Sequence, residues 1–253
     1  MQLHFQSYGQ GPALIILHGL FGSLDNWVSH ARKLANDFSV YTIDQRNHGK
    51  SPHADRWDYD VMAEDLAEFM DQQGIMQAHL LGHSMGGKTV MKLAGSFPER
   101  IDKLIVVDMA PKAYSPHHTH IIETLLAVPL SSLSSRKEAE LFLADRIDEW
   151  SVRQFLLKGL GRDDQKNFRW KFNLNTISLH YPRILEAVEL EEPFEGPTLF
   201  LSGGKSEYVQ VSDWPNIRDH FPFAQFEVLE EAGHWVHAEA PEAFLQTIRH
   251  FLL

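Results

Sequence analysis

The chain has 253 residues, enough for one α/β domain with a substantial core and a subordinate insertion. Its formal net charge of -11 and the lack of any basic stretch argue against nucleic acid and anionic membranes as partners. Because the chain has no cysteine, a thiol nucleophile and a cysteine metal site are excluded.

Short apolar runs alternate with segments of helical periodicity along most of the chain. Strands are predicted, in chain order, at residues 3–8, 13–17, 38–43, 78–81, 103–108, 198–202 and 225–229. Helices are predicted at about 23–36, 58–73 and 88–97, after residue 213, and at 241–253. This order indicates a mostly parallel, doubly wound sheet with right-handed crossovers, in which ligands bind beyond the carboxyl ends of the strands.

The pattern changes between residues 112 and 192, where continuous apolar strands are missing. Helical stretches are predicted there at 121–126, 136–148 and 152–160. We therefore expect a helical cap at 112–192, inserted into a core domain that consists of residues 1–111 and 193–253.

One hexapeptide, Gly82-His83-Ser84-Met85-Gly86-Gly87, lies between a predicted strand and a predicted helix. In this context Gly-x-Ser-x-Gly is typical of a nucleophile elbow, a sharp turn that lifts a serine above the edge of the sheet. Glycines flank the serine because its backbone is strained and the neighbouring chains approach closely. The pattern predicts Ser84 as a nucleophile, with the N–H of Met85 facing whatever bonds to it. The alternative is a glycine-rich strand-to-helix turn of another kind of α/β protein.

A serine hydroxyl is a weak nucleophile that needs a base close by. Among the 15 histidines, His234 has the position that suits this role, because it follows the last predicted strand and precedes the last helix. A loop at that point of such a sheet brings an imidazole over the elbow. The sequence therefore predicts His234 as the base that activates Ser84.

With these motifs the chain resembles the α/β-hydrolase superfamily over essentially its whole length. The matching segments are, in order, His18-Gly19, Asp44-x-Arg46-x-x-Gly49-x-Ser51, the hexapeptide at 82–87, and Gly233-His234. The runs at 18–26, 82–88 and 233–239 resemble more closely the bacterial YbfF-like carboxylesterases. The resemblance implies the α/β-hydrolase fold and a catalytic triad in the chain order serine, acid, histidine.

The sequence departs from the commonest superfamily pattern at the acid of the triad. That acid usually follows the strand after the cap, where this chain has Ser206 and Glu207. Asp108 is the alternative, at the end of the strand that follows the elbow strand, since neighbouring strands lie only about 4.8 Å apart. We favour Asp108 over Glu207 and Asp213, although a turn carboxylate is its other possible role. Ser206 is expected to donate a hydrogen bond to Asp108 or to support His234.

An oxyanion hole needs two backbone N–H groups. Met85 supplies one, and Leu20 is the expected second, with Phe21 in reserve. His18 is expected to hold the shape of this loop. Substrate contacts are expected from three aromatic residues: Phe21, Tyr208 and Trp235.

Two weaker patterns lie in the predicted cap. Its aromatic residues are expected mainly to form the core of the cap, with one or two facing the cleft: Trp150, Phe155, Phe168, Trp170 and Phe172. The triplet His117-His118-x-His120 invites a metal interpretation, but it lies at the start of the cap, and we predict no metal site there.

Taken together, the residues predict a serine carboxylic-ester hydrolase that acts through an acyl-enzyme on small or acyl esters, without a cofactor. An acyl-CoA thioesterase would use the same machinery, and a carbon–carbon bond hydrolase is a further option. A ligand-binding module without turnover is the alternative from another class. The N-terminal residues lack a signal-peptide pattern and no apolar run has membrane-spanning length, so we expect a cytoplasmic monomer or small homo-oligomer.

Overall fold

A central sheet is built from strands of both ends of the sequence. In this computed structural model, which describes residues 1–253, the strands are β1 (Phe5–Tyr8), β2 (Ala13–Leu17), β3 (Ser39–Ile43), β4 (Ala78–His83), β5 (Ile101–Val107), β6 (Leu160–Arg162), β7 (Phe168–Trp170), β8 (Thr198–Gly203) and β9 (Ala224–Leu229). All but β6 and β7 join in one seven-stranded sheet, in the order β1-β3-β2-β4-β5-β8-β9. Only β1 is antiparallel to its neighbour, so the predicted doubly wound parallel sheet is confirmed.

Ten helices cover the sheet and its carboxyl edge. They are α1 (Val28–Leu34), α2 (Tyr59–Gln72), α3 (Met85–Ser96), α4 (Thr119–Ala127), α5 (Arg136–Ala144), α6 (Trp150–Lys158), α7 (Leu174–Leu185), α8 (Trp214–His220), α9 (Val236–Glu239) and α10 (Pro241–Leu252). The longest, α2, has 14 residues and is capped at its N-terminus by Asp58, whose side chain accepts a hydrogen bond from the N–H of Val61. None of the helices combines the length and the apolar character needed to cross a bilayer.

The two faces of the sheet bury separate apolar layers. On one face, Trp27, which precedes α1, and Phe244 and Ile248 of α10 pack against alternate residues of the central strands. On the other face, α2, α3 and α8 form the larger layer, which also includes the apolar side chains of residues 112–192. Burial on both faces explains why the central strands are continuously apolar.

Residues 112–192 contain α4 to α7 and also a small antiparallel hairpin of β6 and β7. The expectation of helices alone is therefore wrong for this hairpin. Its strands have three residues each, too short to show a period of two, and the turn between them places Lys166 at φ 67°. Helix α7 was not predicted, because Pro182 lies inside it and argues locally against a helix.

The parallel strands end in register beneath residues 112–192. Leu17 of β2 pairs with Gly82 of β4, and His83 pairs with Val107 of β5, which in turn pairs with Leu201 of β8. The loops that leave these four strands therefore begin side by side. Ser84, Asp108 and Ser206 lie on three of these loops, and His234 lies on the loop after β9, which pairs with β8.

Candidate active site

The turn after β4 has the strained geometry of a nucleophile elbow. Ser84 takes φ 54° and ψ -118°, outside the regions that L-residues usually adopt. A β-carbon at position 82 would lie 2.1 Å from the carbonyl oxygen of Gly86, and one at position 86 would lie 2.7 Å from that of Leu17. Only glycine allows this approach, and Ser84 is thereby held at the first turn of α3.

Three side chains from three different loops form one hydrogen-bonded line at this turn. The Oγ of Ser84 lies 3.1 Å from Nε2 of His234. The Nδ1 of His234 lies 2.7 Å from Oδ2 of Asp108. Because a carboxylate only accepts, Nδ1 carries the proton, and Nε2 is free to accept the proton of Ser84.

Asp108 is fixed in this line by its backbone and by its other hydrogen bonds. It follows β5 with φ 49° and has no solvent exposure. Its Oδ1 accepts the N–H of Gly203 at 3.1 Å, and its Oδ2 accepts the hydroxyl of Ser206 at 2.5 Å. The structure thus brings Asp108 and Ser206 together with His234.

The two other carboxylates considered for this position lie elsewhere. Glu207 is exposed to solvent. Asp213 forms an ion pair with Lys112 at 2.6 Å and accepts the N–H of Gln210. Neither side chain has a hydrogen bond to His234.

Two neighbours hold the loop that carries His234. The Nε2–H of His83 donates to the carbonyl oxygen of His234 at 2.8 Å, and burial lowers the pKa of His83 well below its usual value, so that it stays neutral. On the other side, the ring of Tyr208 stacks on the imidazole of His234 at 3.9 Å between centroids. The imidazole is therefore oriented through its backbone, its ring face and its Nδ1–H.

The loop after β2 lies against the elbow and offers a backbone donor. A β-carbon at Gly19 would lie 3.2 Å from the Cβ of Ser84, so the two segments touch. The N–H of Leu20 has no hydrogen-bond acceptor within the protein, and Met85 is the first residue of α3, where no intrahelical acceptor exists. The N–H of Phe21, the reserve donor, is occupied by Nε2 of His48 at 3.3 Å.

A buried network of uncharged imidazoles and one amide holds this loop in place. Nε2 of His18 accepts the N–H of Gln45 at 3.0 Å, and the side-chain amide of Gln45 donates back to the carbonyl oxygen of His18 at 2.7 Å. Burial lowers the pKa of His18 to about 4 and that of His48 to about 3. A shaping role was expected for His18 but not for Gln45 and His48, whose only signal was their place in the Asp44–Ser51 motif.

Above Ser84 and His234 lies a cavity of about 780 Å³. Phe21, Tyr208 and Trp235 line it, together with Trp150 and Phe155 of α6. The three other aromatic residues considered for the cleft belong to the apolar core instead: Phe168, Trp170 and Phe172. The cavity is large enough for a ligand of drug size and is mainly apolar.

The histidine triplet at the start of α4 does not converge on one point. His118 is bound to the hydroxyl of Tyr181, and Nε2 of His120 donates to the carbonyl oxygen of Arg146 at 2.7 Å. No group of three or more histidine, aspartate or glutamate side chains is placed to hold a metal ion.

Comparison with known proteins agrees with this architecture. A family model described as the alpha/beta hydrolase fold matches residues 12–241. The chain belongs to the α/β-hydrolase family. The solved structure of a marine microorganism esterase superposes with a TM-score of 0.96 at 43% sequence identity, covering 99% of both chains.

Named relatives within the α/β-hydrolase family include bacterial and vertebrate enzymes. Esterase YbfF of Escherichia coli is 39% identical over 98% of this chain and 95% of its own length. The sn-1-specific diacylglycerol lipase ABHD11 of Mus musculus is 40% identical over 95% of this chain and 81% of its own length. These relatives confirm the predicted resemblance and the prediction of a hydrolase of the esterase type.

Proposed function

We propose that the protein hydrolyses carboxylic esters through an acyl-enzyme formed on Ser84. The observation that carries this proposal is the continuous line of hydrogen bonds from Ser84 through His234 to Asp108 at the floor of a large, mainly apolar cavity. A serine, a neutral imidazole and a buried carboxylate in this order are the parts that acyl transfer needs.

In the acylation step, His234 accepts the proton of Ser84 as the serine oxygen attacks the ester carbonyl. The carboxylate of Asp108 stabilises the imidazolium that forms, and it keeps the Nδ1–H pointing away from Ser84. The negative charge that develops on the carbonyl oxygen is held by the N–H groups of Leu20 and Met85, with the positive end of α3 behind them. His234 then passes its proton to the leaving alkoxide.

In the deacylation step, His234 removes a proton from a water molecule, which attacks the acyl-enzyme carbonyl. The same two N–H groups hold the second oxyanion, and the acid product leaves with Ser84 restored. Every proton that moves is carried by His234, so the reaction needs no cofactor. The hydroxyl of Ser206 stabilises the negative charge of Asp108 through both steps.

The cavity supports esters with at least one long apolar arm as the substrate class. Tyr208 and Trp235 lie beside the reacting centre, and Trp150 and Phe155 extend the apolar wall away from it. The named relatives include a lipase, which fits the same class. A thioester would be attacked by the same groups, so acyl-CoA belongs in the panel of substrates.

We further propose that residues 112–192 act as a cap that closes this cavity over a core of residues 1–111 and 193–253. Two hydrogen bonds join the cap to the core. The hydroxyl of Tyr59 donates to the carbonyl oxygen of Ile184 at 3.0 Å, and the N–H of Asn173 donates to the carbonyl oxygen of Asn47 at 2.8 Å. The small-molecule ester is the only partner that we propose for a cytoplasmic monomer or small homo-oligomer.

The proposal is tested by hydrolysis of p-nitrophenyl esters of increasing acyl length and of acyl-CoA thioesters. Ser84→Ala is expected to reduce kcat by about 10⁶, as the loss of a triad nucleophile does. Ser96→Ala, at the exposed far end of α3, is the matched control and should behave as wild type. A wild-type protein that hydrolyses no ester, or an active Ser84→Ala variant, would contradict the proposal.

A further inference from the structure

A second, smaller cavity of about 40 Å³ opens at the nucleophile on the side of α3. It shares Leu20, Ser84 and Tyr208 with the large cavity but extends between α3 and α7. An ester bound at Ser84 has two arms, and two cavities meet there. The proposed mechanism uses only the large one.

Lys88 lines the small cavity, one helical turn after the nucleophile. Its side chain is buried, with 1% exposure, and its ammonium donates to the carbonyl oxygens of Leu185 and Glu186 at 3.4 and 2.5 Å. The rings of Tyr114 and Tyr59 lie 4.9 and 5.6 Å from it. An ammonium has three donors, and carbonyl oxygens of the protein accept from two of them.

No carboxylate lies in direct contact with this ammonium. Lys88 has no ion pair within 4.0 Å, and the side chain of Glu186, whose charge reaches it, lies outside the small cavity. The chain has 34 acidic residues, yet none lines this cavity, where Lys88 is accompanied by two histidines and four tyrosines. A buried ammonium with no carboxylate in contact is costly, and an anionic ligand group would offset part of that cost.

We propose that the small cavity binds a short carboxylate-bearing arm of the ester substrate, with Lys88 as the residue that selects it. The proposal rests on the ester hydrolysis proposed above and names its substrate class: hemiesters of short dicarboxylic acids whose other arm is apolar. A volume of about 40 Å³ limits this arm to a short one, since the cavity is far smaller than the large cavity of about 780 Å³.

The test compares two esters that differ only in charge. Monohexyl succinate carries a terminal carboxylate, and hexyl succinamate carries a neutral amide of the same shape. We expect the wild-type kcat/KM to favour the succinate by about tenfold or more, as a charge-assisted hydrogen bond does. Lys88→Met should bring the ratio of the two kcat/KM values close to one, whereas Lys158→Met, which removes an ammonium from the large cavity, should keep the wild-type ratio.

A second measurement does not depend on the folding of the Lys88 variant. Succinamate, as a free anion, should inhibit hydrolysis of hexyl butyrate by the wild-type protein about tenfold more strongly than neutral succinamide. If the wild type hydrolyses hexyl butyrate but shows neither preference, the inference fails, the proposed esterase stands, and Lys88 only caps α7. A preference that survives Lys88→Met also overturns the inference. If no ester is hydrolysed, the proposed function fails together with it.

Discussion

Replacement of Asp108 by asparagine keeps the shape of the site but reverses the role of one hydrogen bond. The N–H of Gly203 points at Oδ1 of Asp108 and can only donate, so the amide oxygen of the new side chain must take that place. The amide NH₂ then faces Nδ1 of His234 and the hydroxyl of Ser206, which can both accept. Nδ1 loses its proton, Nε2 becomes the protonated nitrogen, and His234 can no longer accept the proton of Ser84.

A wrong imidazole tautomer of this kind lowers kcat by about 10⁴ in a serine protease, and we expect a loss of that order here. It corresponds to about 5 kcal/mol of transition-state stabilisation. The assay is p-nitrophenyl ester hydrolysis under saturating conditions, with Glu207→Gln and Asp213→Asn as controls that should stay near wild type. A fully active Asp108→Asn variant, or a comparable loss in Glu207→Gln, would refute this reasoning.

Three further predictions concern stability and pH. Gly86→Ala should lower the free energy of unfolding by about 3 kcal/mol in urea titrations, because its Cβ would lie 2.7 Å from the carbonyl oxygen of Leu17. Gly74→Ala is the control: its Cβ would have no neighbour within 4 Å, and its positive φ alone should lower the free energy of unfolding by about 1 kcal/mol. Three fully buried imidazoles have pKa values lowered to about 3 to 4: His18, His48 and His237. Below pH 6.5 the unfolded chain gains protons on these histidines, whereas the folded protein keeps them neutral. The free energy of unfolding should therefore fall between pH 7 and pH 5, by about 2 kcal/mol for each of the three. An unchanged urea midpoint at pH 5 would contradict this. Burial lowers the pKa of Lys88 to about 7, and Glu186 and the tyrosines and histidines of the small cavity surround the same ammonium. The preference for monohexyl succinate over hexyl succinamate in kcat/KM should therefore decline from pH 6 to pH 8, as the ammonium loses its proton. A constant ratio over this range would count against it.

The elbow could be predicted because its constraint is local. The close approach of residues 82 and 86 requires glycine at position 82, and a strand followed by a helix is visible in the periodicity. The position of His234 followed from chain order in the same way. These features need no knowledge of how distant segments pack.

The acid could not be decided from the sequence, because three carboxylates stand at comparable places in the chain. What distinguishes Asp108 is the pairing of β5 with β8, which sets its side chain beside the N–H of Gly203, together with a positive φ at a residue that is not glycine. A left-handed aspartate has no signature in composition or periodicity. The same holds for Phe21, whose φ is 62° in the loop that carries the proposed oxyanion donor.

The region 112–192 was the least predictable part of the fold. Its elements are short and amphipathic, and they are stabilised by packing on one another and on the core rather than by local propensity. The small cavity beside Lys88 arises only where α7 lies across α3, so no reading of α3 alone could have revealed it.

The central claim is that Ser84 is the nucleophile, and covalent labelling tests it most directly. The protein is treated with an alkyl fluorophosphonate, and its peptides are mapped by mass spectrometry. We predict one adduct on Ser84, none in Ser84→Ala, and much slower labelling in Asp108→Asn. An adduct on another serine, such as the neighbouring Ser206, or no adduct on a folded wild-type protein, would contradict the mechanism.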